Sequence, residues 1–304
     1  MQDRNKGILY GVSAYLLWGF LPIYWKLLDN SGADVVLAHR IIWSFAFMTF
    51  FILFTGRTVE FISELKRIIK NRKTMVIITS ASLIISLNWL TFIWAVQSGY
   101  VIQTSLGYYI NPLVSVLLAV LFLKEQLSHA QIISFIIAGV AVTFLTFSYG
   151  VFPWISLLLA FTFAIYGLLK KIVRISAVFS LAIETLLVTP IALIYLLVVY
   201  RSNLGFIQGS ISMNVLLVLA GAATAIPLLL FGSSVQFIPL SMAGILQYIA
   251  PTIMLFIGVF LYGEHFSLAH LITFVLIWIS LIIYMVSSFK MRKKSHNMHE
   301  QSVN

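Results

Sequence analysis

The stretch FIWAVQ at residues 92–97 returns as FGSSVQ at 231–236, and YINP at 109–112 returns as YIAP at 248–251. Gln97 and Gln236 stand 139 positions apart (236 − 97), and the same shift serves both matches. At that shift Phe92 meets Phe231, Glu125 meets Glu264, Ser128 meets Ser267, Ala130 meets Ala269 and Phe135 meets Phe274. No gap is needed from Phe92 to Phe135. The chain is therefore built twice from one unit. Of its 304 residues 61% are hydrophobic and 9% charged, against about 25% charged in an ordinary soluble domain. A water-soluble core cannot hide that much apolar surface, so lipid covers part of it.

A helix needs about 20 apolar residues to cross the hydrocarbon of a bilayer. Ten stretches come close to that length. They are Ile8 to Leu28, Val35 to Phe54, Met75 to Val96, Ile102 to Leu123 and Ala130 to Phe147, then Val151 to Leu169, Ala177 to Val199, Val215 to Val235, Leu240 to Tyr262 and Leu268 to Val286. The first follows Arg4 and Lys6 as a leader would, but it lacks an A-x-A site and contains Pro22 and Lys26, so it reads as a retained span. Short links force neighbours antiparallel. If the N-terminus is cytoplasmic, 16 of the 19 Lys and Arg fall on the cytoplasmic side, and only Lys26, Arg40 and Arg201 do not. Both termini are then inside. Five spans per unit is an odd number, so the second unit enters upside down. This is an inverted-topology repeat, a construction shared by many secondary transporters. The units are residues 7–148 and 149–287, followed by a basic cytoplasmic tail at 288–304. The fold class is all-α and polytopic, with ten transmembrane helices.

The rest of the composition narrows the function. There is no cysteine, which excludes disulfides, thiolate metal sites and cysteine nucleophiles. The net charge of +10 is spread in short runs between apolar stretches and does not form a nucleic-acid surface. The segment Glu60 to Lys73 places Phe61, Ile62, Leu65, Ile68 and Ile69 at helical spacing with basic residues between, and reads as a helix lying on the cytoplasmic surface. Residues beyond Lys294 read as disordered.

Polar residues inside a membrane are expensive and usually face the bundle interior. Spans three, four, eight and nine hold most of them, and these spans are repeat-related. A central cavity lined by Trp18, Asn88, Trp89, Tyr108, Tyr109, Asn111, Gln247 and Tyr248 is the economical reading; hydrogen-bonded glue between helices is the plain alternative. Gln97 and Gln236, repeat mates near opposite faces, are gate candidates. Pro112 and Pro251 occupy equivalent depths and are hinge candidates, or packing features. Lys26 and Arg40 lie near the outer ends of spans one and two, with Asp29 and Asp34 between them. Snorkelling with local ion pairs is one reading; a gate, or attraction of an anionic group, is the other. Glu184 is a candidate proton-coupling group, or else the partner of Arg174 or another basic residue. Glu125 and Glu264 read as span-end caps. Gly7 and Gly11 would let a helix approach the first span closely.

Trp18-Gly19 with Lys26, Arg40 early in span two, and a proline-bearing fourth span ending in Glu125 resemble the EamA repeat. The second copy places Pro251 and Glu264 to match. AHRIIWSF (Ala38 to Phe45), NWLTFIWAV (Asn88 to Val96), SLGYYINPLV (Ser105 to Val114) and QYIAPTIMLF (Gln247 to Phe256) resemble the RarD permeases of the drug/metabolite transporter superfamily. The resemblance runs from about Lys6 to about Met285. It implies a ten-helix permease of the bacterial plasma membrane, usually described as a drug or metabolite exporter. It also implies a cavity lined by the third, fourth, eighth and ninth helices, with the first and sixth nearby. RarD proteins carry a label of chloramphenicol sensitivity or resistance. Asn111 faces Ala250 and Asn88 faces Pro227 across the repeat, so any site is asymmetric.

The expectation is a secondary active transporter of a small molecule working by alternating access, with lipid and substrate as its partners and no cofactor, metal or nucleic acid. A passive channel is the runner-up. An intramembrane enzyme would need a catalytic constellation at depth, and the histidines (39, 129, 265, 270, 296 and 299) all lie in links, tails or span ends. A membrane sensor would need a soluble domain to pass its signal on.

Overall fold

The computed structural model describes residues 2–123, 128–149, 152–173, 175–199, 210–238 and 246–303, and for some of these only the backbone. Lys124, Glu125, Arg174 and Arg201 lie outside them. The described chain is helical throughout. In order come α1 (Gln2–Lys26), α2 (Ala33–Phe54), α3 (Thr58–Lys70), α4 (Arg72–Gln97), α5 (Val101–Leu123) and α6 (His129–Tyr149). Then come α7 (Trp154–Val173), α8 (Ala177–Val199), α9 (Ile211–Phe237), α10 (Ile249–Phe256) with a π-helical extension (Ile257–Leu261), and α11 (Leu268–Val303). Among the described residues six helices are long and apolar enough to cross a membrane, and three apolar segments of 10–17 residues are shorter.

Local chemistry explains the boundaries. After α2 and α4 the chain turns through glycines in the left-handed region, Gly56 (φ 68°) and Gly99 (φ 78°). The next amides reach back five residues, Arg57 N–H to the Ile52 carbonyl (3.1 Å) and Tyr100 N–H to the Ala95 carbonyl (2.8 Å). These are glycine C-caps, and they permit the tight links. Asn71 caps α4 by accepting from Thr74 N–H (3.1 Å). At the start of α6, Ser128 Oγ accepts from Gln131 N–H (3.2 Å) while Gln131 Oε1 accepts from Ser128 N–H (2.9 Å), a reciprocal capping box. α11 stays helical through Val303, where the sequence reading expects disorder. No glycine or proline follows Leu268 to stop it. α3 has the expected amphipathic build: Ile68 is buried, Phe61 and Leu65 pack with it, and Ile62 and Ile69 are exposed.

The helices pack in pairs that the 139-residue shift exchanges. α1 lies on α9 and α10, while their counterparts α7, α4 and α5 pack as α7 on α4 and α5. α6 lies on α11, its own repeat mate, and α5 on α10 likewise. The α6–α11 contact shows the direction. Ser280 Oγ donates to the Ser134 carbonyl (2.7 Å), and Thr273 Oγ1 donates to the Ala141 carbonyl (3.5 Å). Ser134 and Thr273 are repeat mates, as are Ala141 and Ser280, so the repeat maps one contacting pair of positions onto the other, although both donors come from α11. As α6 advances α11 recedes, so the two mates run antiparallel. Tyr109 and its mate Tyr248 stack on each other, ring centres 6.1 Å apart at 13°.

Glycines mark close helix approaches. A Cβ on Gly7 would stand 2.6 Å from Phe237 Cβ, and one on Gly11 2.7 Å from Ser234 Oγ, so these glycines seat α1 on α9. At Gly221 on α9 a Cβ would overlap the carbonyl carbon and oxygen of Trp43 and stand 2.7 Å from Ser44 N. There α2 and α9 touch backbone to backbone.

Candidate functional site

Helices α1, α2 and α4 meet around one buried cation. Arg40 stands two turns into α2, Trp25 in the last turn of α1, Trp89 on α4 and Tyr108 on α5. The guanidinium carbon of Arg40 is 4.2 Å from the Trp89 ring centre and 4.9 Å from that of Trp25, so an indole lies beside it on each helix. The side chain is only 5% exposed. It forms no ion pair among the described residues, and its Nε and Nη1 have no hydrogen-bond partner. The hydroxyls of Tyr24 and Tyr108 lie within electrostatic reach. Tyr24 O–H donates to the Leu216 carbonyl of α9. Tyr108 packs edge-on to Phe92 (5.7 Å) and Phe163 (6.0 Å).

Each desolvated cation–π contact stabilises the charge by about 2 kcal/mol, whereas a buried charged donor without an acceptor is costly. The indoles offset the burial and leave the open N–H groups uncompensated. Snorkelling, the plainer sequence expectation for Arg40, does not occur here, because the α1 and α4 indoles enclose the side chain.

The other expected cavity residues divide into three groups. Trp18 is half-buried on α1 and packs against Tyr15 (5.2 Å) and Phe231 of α9 (5.7 Å). Asn88 and Asn111 are turned to α7: Asn88 Nδ2 donates to the Leu159 carbonyl (3.0 Å) and to Thr162 Oγ1 (2.8 Å), and Asn111 Nδ2 to the Ala160 carbonyl (3.1 Å). Asn88 Oδ1 is left without a partner. Tyr109 and Tyr248 stand at the α5–α10 seam, where the Tyr109 hydroxyl meets Thr252 Oγ1 at 2.5 Å. Gln247 is half-buried at the turn before α10. Pro251 belongs to the same seam, its carbonyl accepting from Ser105 Oγ (2.7 Å), and Pro112 is half-buried inside α5. So Trp89 and Tyr108 gather with Arg40, while the asparagines and the stacked tyrosines bind helices together.

A second group of contacts ties the ends of the helices that carry this site. Lys26 Nζ donates to the Gln97 carbonyl (2.8 Å) and pairs with Asp29 (3.0 Å). Gln97 Nε2 donates back to the carbonyls of Leu28 (3.1 Å) and Ser31 (3.2 Å). The α1–α2 link is thereby stapled to the end of α4. The side chain of Gln236 lies outside the described residues. Glu264 caps α5 in the other half instead of the helix that follows it, accepting from Val101 N–H (2.6 Å) and Ile102 N–H (2.8 Å). The π turn makes this possible. Tyr262 N–H reaches the Ile257 carbonyl (3.0 Å) and Glu264 N–H the Gly258 carbonyl (2.9 Å), which wraps the chain over the start of α5.

Glu264→Ala strips both amides of their acceptor and is expected to cost about 1–2 kcal/mol in unfolding free energy. Burial holds the Glu264 carboxyl above its ordinary pKa, against the opposing pull of the Ile102 and Val101 amides and of Lys26. The folded state thus binds this proton more readily than the unfolded chain. Its contribution to stability is full below the ordinary carboxyl pKa and is lost as pH rises through the raised value. Glu264→Gln flattens that slope. Unfolding midpoints of both proteins between pH ~4 and ~7 check it; parallel curves refute it.

Glu184 pairs with Lys170, another basic residue; Arg174, the other expected candidate, lies outside the described residues. Its Oε1 accepts from Lys170 Nζ (2.7 Å) and Ser180 Oγ (2.6 Å), and its Oε2 from Tyr166 O–H (2.9 Å). The carboxylate is 2% exposed and fully satisfied. Among the described residues no group of three acidic or histidine side chains could hold a metal ion.

Sequence reasoning names Arg40, Trp89, Tyr108 and, among the polar residues of span nine, Thr252, but it misses Trp25 and Thr162. Trp25 lies two turns after Trp18 on the same stripe of α1, a spacing that could have drawn it in.

Comparison with known proteins agrees with this frame. The EamA-like transporter family matches residues 5–147 and again 153–286. The uncharacterized transporter YojE of Bacillus subtilis (strain 168) is 44% identical over 300 residues, covering 97% of this chain and 99% of that one. Protein RarD of Escherichia coli (strain K12) is 36% identical over 295 residues, covering 97% and 98%. A solved crystal structure shares the fold at 16% identity with a TM-score of 0.60, over 91% of this chain and 96% of that one. The helices and the two matches make the chain a multi-pass membrane protein, and it belongs to the EamA-like transporter family.

Proposed function

We propose that the protein is a secondary active transporter of a small metabolite or drug. In this reading ten spans form two inverted five-helix units, residues 7–148 and 149–287, in a bacterial plasma membrane with both termini cytoplasmic. The two units rearrange around the aromatic site of Trp25, Arg40, Trp89 and Tyr108, exposing it to each side in turn. The observation that carries the reading is the antiparallel pairing of repeat mates, α6 with α11 and Tyr109 on Tyr248. An inverted pair of this kind supplies two related end states by exchanging the roles of its halves. The Lys26–Gln97 staple and the Glu264 cap both sit at what is then the outer end, so this conformation is closed outward.

Uptake of a radiolabelled metabolite panel into proteoliposomes, with and without a pH gradient, tests it. Saturable flux with counterflow is expected. Flux that rises linearly without counterflow makes the protein a channel. The staple gives a second check. Gln97→Ala removes two hydrogen bonds of about 1 kcal/mol each, which shifts a two-state equilibrium outward by roughly 5- to 30-fold. Because the chain has no cysteine, a single cysteine at the buried position Ile93 reports this as faster labelling from outside. Unchanged labelling removes Gln97 from the gate.

A further inference from the structure

We propose that the substrate is an organic anion and that Arg40 receives its carboxylate or phosphate group; this rests on the transporter reading above. Arg40 is a charge sealed among apolar and aromatic side chains, and it has no carboxylate partner among the described residues. Trp25 and Trp89 lie within cation–π distance of it, so ring surface already occupies much of its surroundings. What remains open is nitrogen: Nε and Nη1 lack acceptors. A guanidinium offers its N–H groups in its own plane, the geometry that planar oxyanions match. The Tyr108 hydroxyl, within electrostatic reach of Arg40, is a further donor of the kind such a group accepts. A neutral substrate would leave the cation unmatched, and a cationic one would be repelled by it. The two indoles that flank the guanidinium suit an apolar or aromatic body behind the charged end.

The test uses the purified full-length protein, with tryptophan fluorescence as the titration signal. The probes are benzoate, phenyl phosphate and the neutral benzamide. At least one anion is expected to bind at least ~30-fold more tightly than benzamide, the factor that loss of a buried charged partner produces. Which anion binds more tightly names the headgroup. Arg40→Gln is expected to remove that preference while benzamide binding stays as it was. Arg40→Met separates ligand recognition from scaffolding. A charge kept for a ligand leaves an apo protein at least as stable without it, whereas a structural staple leaves it less stable. Equal binding of benzoate and benzamide, no binding of either anion, anion binding intact in Arg40→Gln, or an unstable Arg40→Met each overturns the proposal. Counterflow of a neutral compound that survives Arg40→Gln sinks the proposal and keeps the transporter. Arg40-dependent anion binding with no carrier flux of any compound does the reverse.

Discussion

Lys170→Ala is expected to destabilise the protein by about 3–5 kcal/mol, the loss seen when one partner of a buried ion pair is removed. The lower half of that range applies, because the Lys170 side chain keeps 27% exposure while Glu184 keeps 2%. The variant leaves a carboxylate enclosed by α7 and α8 with only the Ser180 and Tyr166 hydroxyls to hold it. The double variant Lys170→Met with Glu184→Leu removes both charges and is expected to recover most of the loss, since an apolar pair of similar volume is often as stable as a buried ion pair. Denaturant titration of the detergent-purified proteins measures both. A Lys170→Ala protein as stable as the parent, or a double variant no better than the single, refutes the account. The same ligation bears on proton coupling. With three donors on the carboxylate, any role for Glu184 in a proton gradient requires those bonds to open first.

Gly221→Val comes second. Its Cβ would occupy the space of the Trp43 carbonyl on α2. Side chains can swing away from an intruding methyl, but a helix backbone cannot, so the two helices must separate. Overpacking in a close-packed core costs about 1–3 kcal/mol and occasionally more, and this site belongs at the upper end. Gly139→Ala is the control. Nothing lies within 4 Å of its Cβ position, and alanine gains up to about 1 kcal/mol of helix propensity over glycine. Thermal unfolding should fall for the first and hold or rise for the second. A Gly221→Val protein that unfolds with the parent shows that the α2–α9 contact is slack.

Much of this architecture was legible before any coordinates. Matches such as Ser134 with Thr273 and Ala141 with Ser280 are positions in a ruler of 139, and the helices meet at those positions. The amphipathic spacing of Phe61, Leu65 and Ile68 placed α3. Less legible was which polar residue faces which neighbour. Asn88 and Trp89 are adjacent in sequence, yet one bonds α7 and the other covers Arg40. A step of one residue turns a helix by about 100°, and composition carries no record of the helix's rotation. The surroundings of Arg40 are hidden for a related reason. Its nearness to Asp29 and Asp34 suggested ion pairs, but Asp29 is taken by Lys26 and Asp34 by Tyr195 of α8, a residue far along the chain. Glu264 likewise finds α5, 162 residues away from it at Ile102, instead of the helix next to it.

The π turn at Ile257–Leu261 has a mechanical consequence. It stores one surplus residue directly before the carboxylate that grips α5. Rewinding it to ordinary pitch would pay out about 1.5 Å of rise and carry Glu264 around the axis, while α10 above stays seated on α1. Rewound in that way, the segment would act as a clutch, releasing α5 while α10 stays on α1. Deleting Val259 would weld it; if outward opening then proceeds at the parent's rate, the clutch is never used.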